Sequence, residues 1–251
     1  DQIIKFRNLI KRRSFREPIA YITKEKEFWS KIFEVNKNTL IPRPETELMV
    51  EKLTKIFKKK PISILDIGTG SGCIIISLLS ELKKSNGIGL DISGKSILIA
   101  KKNADKHLKS NNLSNISYTG VDINPGLISY TEQKLTGLHL TKLSLHQSNL
   151  NDESWHENLP LFNLAYSFQT LHDLGGYQAL ELAYKKIYSL IKPDGMLLNA
   201  DFIVPFENDD PKKMRRFPVD VHQRILESIG FVNFSHEATD GKLAIMTADR
   251  L

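Results

Sequence analysis

The chain has one cysteine, Cys73, in 251 residues, which excludes an internal disulfide and a cysteine-rich zinc cluster. It has no long apolar run. The longest stretches resemble "CIIISLL" at Cys73–Leu79, far short of a bilayer span, so no membrane association is expected. No charged-then-apolar leader opens the sequence, and the first residue is Asp1 rather than Met, as expected of a trimmed chain. Histidines 146, 156, 222 and 236 show no metal-ligand spacing, so no metal is expected. Low-complexity linkers are also missing. A reducing, cytoplasmic setting is the simplest expectation for such a chain.

What remains is an ordinary globular balance, 41% hydrophobic and 25% charged, with a net charge of +6. The positive charge gathers at Lys11–Arg13, Lys58–Lys60 and Lys212–Arg216. No aromatic residues interleave these clusters in the manner of an RNA-binding surface. They read as solvated surface, and nucleic acid is not the expected partner.

Residues 1–16 pattern as one helix, and 17–40 as a hairpin of "IAYIT" and "FWSKIFEV" separated by the charged turn "KEKE". From Pro61 onward, strands and helices alternate, which implies a doubly wound, mostly parallel α/β sheet. "VNFSHEA" and "KLAIMTADR" close it as an antiparallel hairpin. The division expected is 1–44 as a small N-terminal piece and 45–251 as the ligand-binding domain.

The most informative local motif is "LDIGTGSGC" at Leu65–Cys73. A strand ends in Asp66, then Gly68, Thr69, Gly70 and Gly72 form a turn, and a helix starts at once. Glycines there let a ligand approach backbone N–H groups at the positive end of a helix. The spacing is G-x-G-x-G, not the dinucleotide G-x-G-x-x-G. An acid before such a turn resembles the S-adenosylmethionine (SAM) site of the Rossmann-like class I methyltransferases.

Two segments echo each other 31 residues apart, "GLDIS" at Gly89–Ser93 and "GVDIN" at Gly120–Asn124. In nucleotide-binding sheets the ribose acid lies about 20 residues beyond the glycine turn. Asp91 is 21 residues beyond Gly70 and Asp122 is 52 beyond it. Asp91, followed by Ile92, is therefore the expected ribose ligand. Asp122's strand–helix unit is an extra one, displaced toward the sheet edge. Ser148 and Asn149 end a later strand where many such enzymes bond the adenine.

Residues 16–115 carry "REPIAYIT", "EFW", "TLIPRPETE", "ILDIGTGSGCIIISLL" and "DIS" followed by "ILIAKKNA". They resemble the HemK family of release-factor glutamine N5-methyltransferases, of which "IPRPETE" is the most specific element. The resemblance implies SAM as cofactor, a peptide-chain release factor as partner, and Pro42, Arg43 and Pro44 lining the SAM pocket. It also implies that 1–44 is the remnant of an N-terminal substrate domain.

The family's catalytic Asn-Pro-Pro-Tyr string is absent. Phe168, Gln169, Thr170 and Leu171 stand in its place, so the parent glutamine activity is expected to be weak or absent. Phe168 remains a cofactor-side candidate. Residues 118–251 resemble a different class I methyltransferase of the small-molecule kind, and two methyltransferase pieces joined near 114–118 would account for the echo. His172, as a general base, and Asp173 are the catalytic candidates in that half, and Asp201 faces the same sheet edge. A small-molecule substrate and a folded hybrid that binds SAM without catalysis are the competing readings.

Overall fold

The computed structural model describes residues 2–58, 60–108, 116–121, 142–146, 150, 154–210, 214–238 and 241–251, with backbone pairing alone for 116–121 and 142–146. The first helix, α1 (Gln2–Ser14), buries none of its residues. The segment Ile19–Thr23, expected as a strand, is instead a short helix, α2. Pro18 cannot donate to a ladder, and its carbonyl accepts the N–H groups of Tyr21 at 3.0 Å and Ile22 at 3.1 Å.

The hairpin lies later than expected, β1 (Glu25–Phe28) against β2 (Lys31–Glu34). The "KEKE" segment is mostly strand, and the turn is Trp29–Ser30, both left-handed at φ 51° and 53°. That is the conformation a two-residue hairpin loop requires, here without glycine. The Trp29 N–H donates to Glu47 Oε1 at 2.8 Å and its indole N–H to Glu81 Oε1 at 2.9 Å, which holds the turn in place.

An irregular segment then leads through a single 3₁₀ turn, Pro44–Thr46, into α3 (Glu47–Phe57). The doubly wound part follows: β3 (Ser63–Ile67), α4 (Cys73–Glu81), β4 (Asn86–Asp91), α5 (Gly94–Leu108), β5 (Ile116–Val121), β6 (Lys142–His146) and β7 (Phe162–Phe168). It continues with α6 (Tyr177–Leu190), β8 (Ile191–Phe202), α7 (Val219–Ile229), β9 (Phe231–Ala238) and β10 (Leu243–Arg250). The eight strands of the large sheet run in the order β6-β5-β4-β3-β7-β8-β10-β9. Only the β10 pairings are antiparallel.

Alternation along the central strands divides the apolar side chains between two faces. Ile64, Leu164 and Leu198 face a core shared with α3, α4 and α5. Leu65, Ile67 and Leu197 face a core built with α6 and α7. Phe28 and Phe33 of the hairpin belong to the first core. Each fully buried Leu or Ile contributes about 1.5–3 kcal/mol, so the hairpin is bound to the sheet by the same burial that holds the helices. Asn103 of α5 adds a polar latch. Its carboxamide accepts the Glu34 N–H at 2.7 Å and donates to the carbonyls of Glu34 at 3.0 Å and Ser71 at 2.9 Å.

The strand beside β3 is β4, which ends in Asp91, and β5 lies one place further out with β6 beyond it. Asp122 and the junction residues 114–115 lie outside the described residues. Among those described, no helix is long and apolar enough to cross a membrane.

Candidate functional site

β3, β4 and β7 are parallel, so their C-terminal ends meet at one edge, and the reversal of strand order about β3 opens a crevice there. The crevice holds a hollow of about 330 Å³ lined by Gly68, Gly70, Asp91 and Ile92, among others. A second hollow of about 50 Å³ lies beside it, lined by Pro42, Arg43, Thr69 and Cys73 among others. Leu40, Gly68, Gly70 and Phe168 line both, so the two hollows meet at these four residues.

The glycine turn is built as its spacing implies. Gly68 and Thr69 both donate their N–H groups to the Leu90 carbonyl at 2.8 Å, which fixes the turn against the end of β4. Gly68 has φ +83°, and a Cβ on it would stand 2.1 Å from Thr170 Oγ1. Gly70 has φ +55°, and a Cβ there would meet no atom closer than the Gly68 carbonyl oxygen at 4.0 Å. The missing side chain at Gly70 is thus not a demand of protein packing. It leaves the backbone bare toward the crevice.

Asp91 spans that turn and the next. One carboxylate oxygen accepts the Gly70 N–H at 2.9 Å and the other the Ser93 N–H at 2.8 Å. Asp66 lies under the turn, buried, and accepts the Thr69 hydroxyl at 2.7 Å. Burial pushes its carboxyl up to about 7, against the opposing hydrogen bonds of Thr69 and Tyr166. Burial likewise pushes the Cys73 thiol up to about 12, so this thiol is not a nucleophile at neutral pH.

Other expected residues are distributed unevenly. Pro42 and Arg43 reach the smaller hollow, but Pro44 starts the 3₁₀ turn and lines neither. Gly72 caps α4 and also lines neither hollow. Asp173 lines the larger hollow, whereas the ring of His172 does not. His172 Nδ1 lies 2.5 Å from Asp201 Oδ1, its backbone N–H donates to Asp201 Oδ2 at 3.0 Å, and the ring meets the Phe202 ring edge-on. Asp201 is fully buried and so faces His172, not the crevice. Ser148 and Asn149 lie outside the described residues.

The sequence reading did not single out Asn38, Thr39, Leu40, Gln169 or Thr170, all of which line the larger hollow. Gln169 is left-handed at φ 51°, and its carboxamide makes no hydrogen bond with a described residue. Its N–H donates to the Ala200 carbonyl at 2.8 Å, which holds the strained residue at the end of β7.

A crevice at the C-terminal ends of parallel strands, a bare glycine turn and an acid on the neighbouring strand define a Rossmann-like α/β protein of the class I methyltransferase type. A family described as a methyltransferase domain matches residues 43–235, and the chain belongs to it.

Its curated relatives include the release factor glutamine methyltransferase of Nitratidesulfovibrio vulgaris, 44% identical over 104 residues, or 41% of this chain and 35% of that protein. The bifunctional methyltransferase of Rickettsia typhi is 33% identical over 227 residues, covering 78% of this chain and 40% of that one. The chain thus spans well under half the length of these two relatives.

An O-methyltransferase family protein from Burkholderia thailandensis shares the fold at 13% identity and a TM-score of 0.54, covering 82% of this chain and 56% of that one. Human N-acetylserotonin methyltransferase, solved with SAM, does so at 14% identity and a TM-score of 0.50, covering 82% and 53%.

Proposed function

We propose that this chain is a SAM-dependent methyltransferase of HemK-like descent that takes its methyl acceptor at the Phe168–Leu174 side of the crevice. The observation that carries the cofactor assignment is the Asp91 carboxylate, fixed beside the bare Gly70 backbone on the strand adjacent to the glycine turn. The fit is of the right kind: an anionic acceptor for vicinal hydroxyls, backbone without side chains beside it, and an apolar Phe168 opposite. Asp91 would hold the ribose, Ile92 the adenine face, and Gly68–Gly70 with Pro42 and Arg43 the amino-acid end. Ser148 and Asn149 are proposed for the adenine edge.

SAM, when bound, supplies a methyl group on a positively charged sulfur. The protein's task is to align the acceptor with that methyl and to keep water out. Phe168 supplies an apolar wall and no polar atom. Asp173 brings an exposed carboxylate to the acceptor side, and Arg215 stands 3.7 Å from it. His172, held by Asp201, can accept a proton from an acceptor only if its ring swings toward the crevice.

Replacement of the Asn-Pro-Pro-Tyr string by Phe168–Leu171 supports a lost or weak glutamine activity and favours a small-molecule acceptor. The proposed junction of two methyltransferase pieces near 114–118 rests on the 31-residue echo. The family match runs across that position.

Calorimetry with about 100 μM SAM tests the cofactor assignment: binding by the wild-type chain and its loss in Asp91→Ala are expected, and no heat from either would end it. Transfer of a labelled methyl group to purified release factor or to a small-molecule extract then separates the acceptors. Strong labelling of a release-factor glutamine would refute the inference from Phe168.

A further inference from the structure

The N-terminal segment reaches the crevice. Asn38, Thr39 and Leu40 form a wall of the larger hollow, and Leu40 stands with Gly68, Gly70 and Phe168 where the two hollows meet. Leu40 is 51% exposed, so no protein atoms cover half of this apolar side chain. The backbone that carries it is nonetheless fixed at three points. The Ser96 hydroxyl, buried at the start of α5, donates to the Asn38 carbonyl at 2.7 Å. The Tyr21 hydroxyl of α2 donates to the Thr39 carbonyl at 2.8 Å. Within the segment, the Asn38 N–H donates to Asn36 Oδ1 at 2.9 Å. A rigidly held backbone that presents an uncovered leucine where the 330 Å³ hollow meets its smaller neighbour is a contact surface awaiting a ligand.

We infer that Asn38–Leu40 is a strap over the cofactor, in which Leu40 closes with Phe168 on the junction between the nucleoside and amino-acid ends, and Ser96 is the positioning residue that holds it there. This rests on the SAM assignment above. The junction is where a cofactor with a nucleoside at one end and an amino acid at the other carries its central sulfur. Two apolar side chains there exclude water from it while leaving the acceptor side to Gln169 and Asp173.

The test is S-adenosylhomocysteine affinity, measured by calorimetry on the full chain without any methyl acceptor. Leu40→Ala is expected to weaken binding roughly 10-fold through lost apolar contact, while Leu40→Met keeps it within about 2-fold. Leu40 is largely exposed, so its variants should melt like the wild-type protein. Ser96→Ala is expected to weaken binding about 3-fold alone and to add nothing in the Leu40→Ala background, because it acts through that side chain. Unchanged affinity in Leu40→Ala, with wild-type binding intact, overturns the strap and leaves the cofactor assignment standing. Additive effects of the two substitutions overturn the role of Ser96. No binding by the wild-type chain ends both readings.

Discussion

Replacing Gly68 by alanine tests the central geometry of the site. The new methyl would lie 2.1 Å from Thr170 Oγ1 and 2.9 Å from Cγ2, closer than non-bonded atoms approach, and 3.0 Å from Cβ, a tight contact. Rotation of Thr170 can relieve the first two contacts but not the third, and its hydroxyl would leave the Phe168 carbonyl it now holds at 3.1 Å. Overpacking of this kind costs about 1–3 kcal/mol. The left-handed φ of +83° adds about 1–2 kcal/mol for any residue with a Cβ. The expected loss is therefore about 2–5 kcal/mol, read as a lower urea midpoint at unchanged slope.

The two terms can be separated. Removing the Thr170 side chain with Thr170→Gly takes away all three contacts and leaves only the backbone term. In the double-mutant cycle the pair should couple by at least about 1 kcal/mol. A Gly68→Ala protein within about 0.5 kcal/mol of wild type would refute the packing of β3's turn against the end of β7. So would purely additive effects of the two substitutions.

Four further outcomes are expected. Asp66 holds its proton in the folded chain up to about pH 7, against an ordinary 3.8, so its contribution is full at low pH and is lost as pH rises through 7. Urea titrations should show that Asp66→Asn removes a fall in stability of about 1.4 kcal/mol per pH unit between pH 4 and 7.

Burial lowers His222 from 6.5, so its contribution is full above that value and falls as pH drops below it; His222→Gln should flatten the acid side of the same titration. In the interior, the Tyr184 hydroxyl lies 2.7 Å from His222 Nδ1, within hydrogen-bond distance, and accepts from Asn199 Nδ2 at 2.9 Å. Tyr184→Phe strands both partners and should cost about 1–3 kcal/mol by denaturation. Gln169→Gly should raise stability by about 1 kcal/mol through relief of its left-handed backbone, while slowing methyl transfer to any acceptor that the carboxamide orients.

The parallel strands, the glycine turn and the placement of β4 beside β3 were legible because each is a local property. Buried strands are short and apolar, glycines mark a left-handed turn, and a crossover of some twenty residues reaches the adjacent strand. The N-terminal hairpin was misplaced because its turn is specified from a distance. Trp29 and Ser30 have no intrinsic preference for positive φ, and it is Glu47 and Glu81 that hold Trp29 there.

"IAYIT" reads as a strand from its side chains alone. Pro18 and the left-handed Lys24 fix both ends of a single helical turn instead. Asn38 escaped notice for the same reason: it reads as an ordinary loop residue until Ser96, 58 residues away, is seen to hold its carbonyl.

The Asn103 latch bears on how the chain reaches its folded form. Glu34 leaves the ribosome 69 residues before the carboxamide that accepts its N–H. At synthesis rates of roughly 5–20 residues per second, the hairpin waits several seconds without that partner. Closing so long a loop carries an entropic penalty that local contacts must offset. The crevice wall formed by residues 38–40 is therefore among the later parts to be completed, after α5 has docked. A pulse of hydrogen exchange during refolding should find the Glu34 amide protected together with α5, and not with its own sequence neighbours in β1.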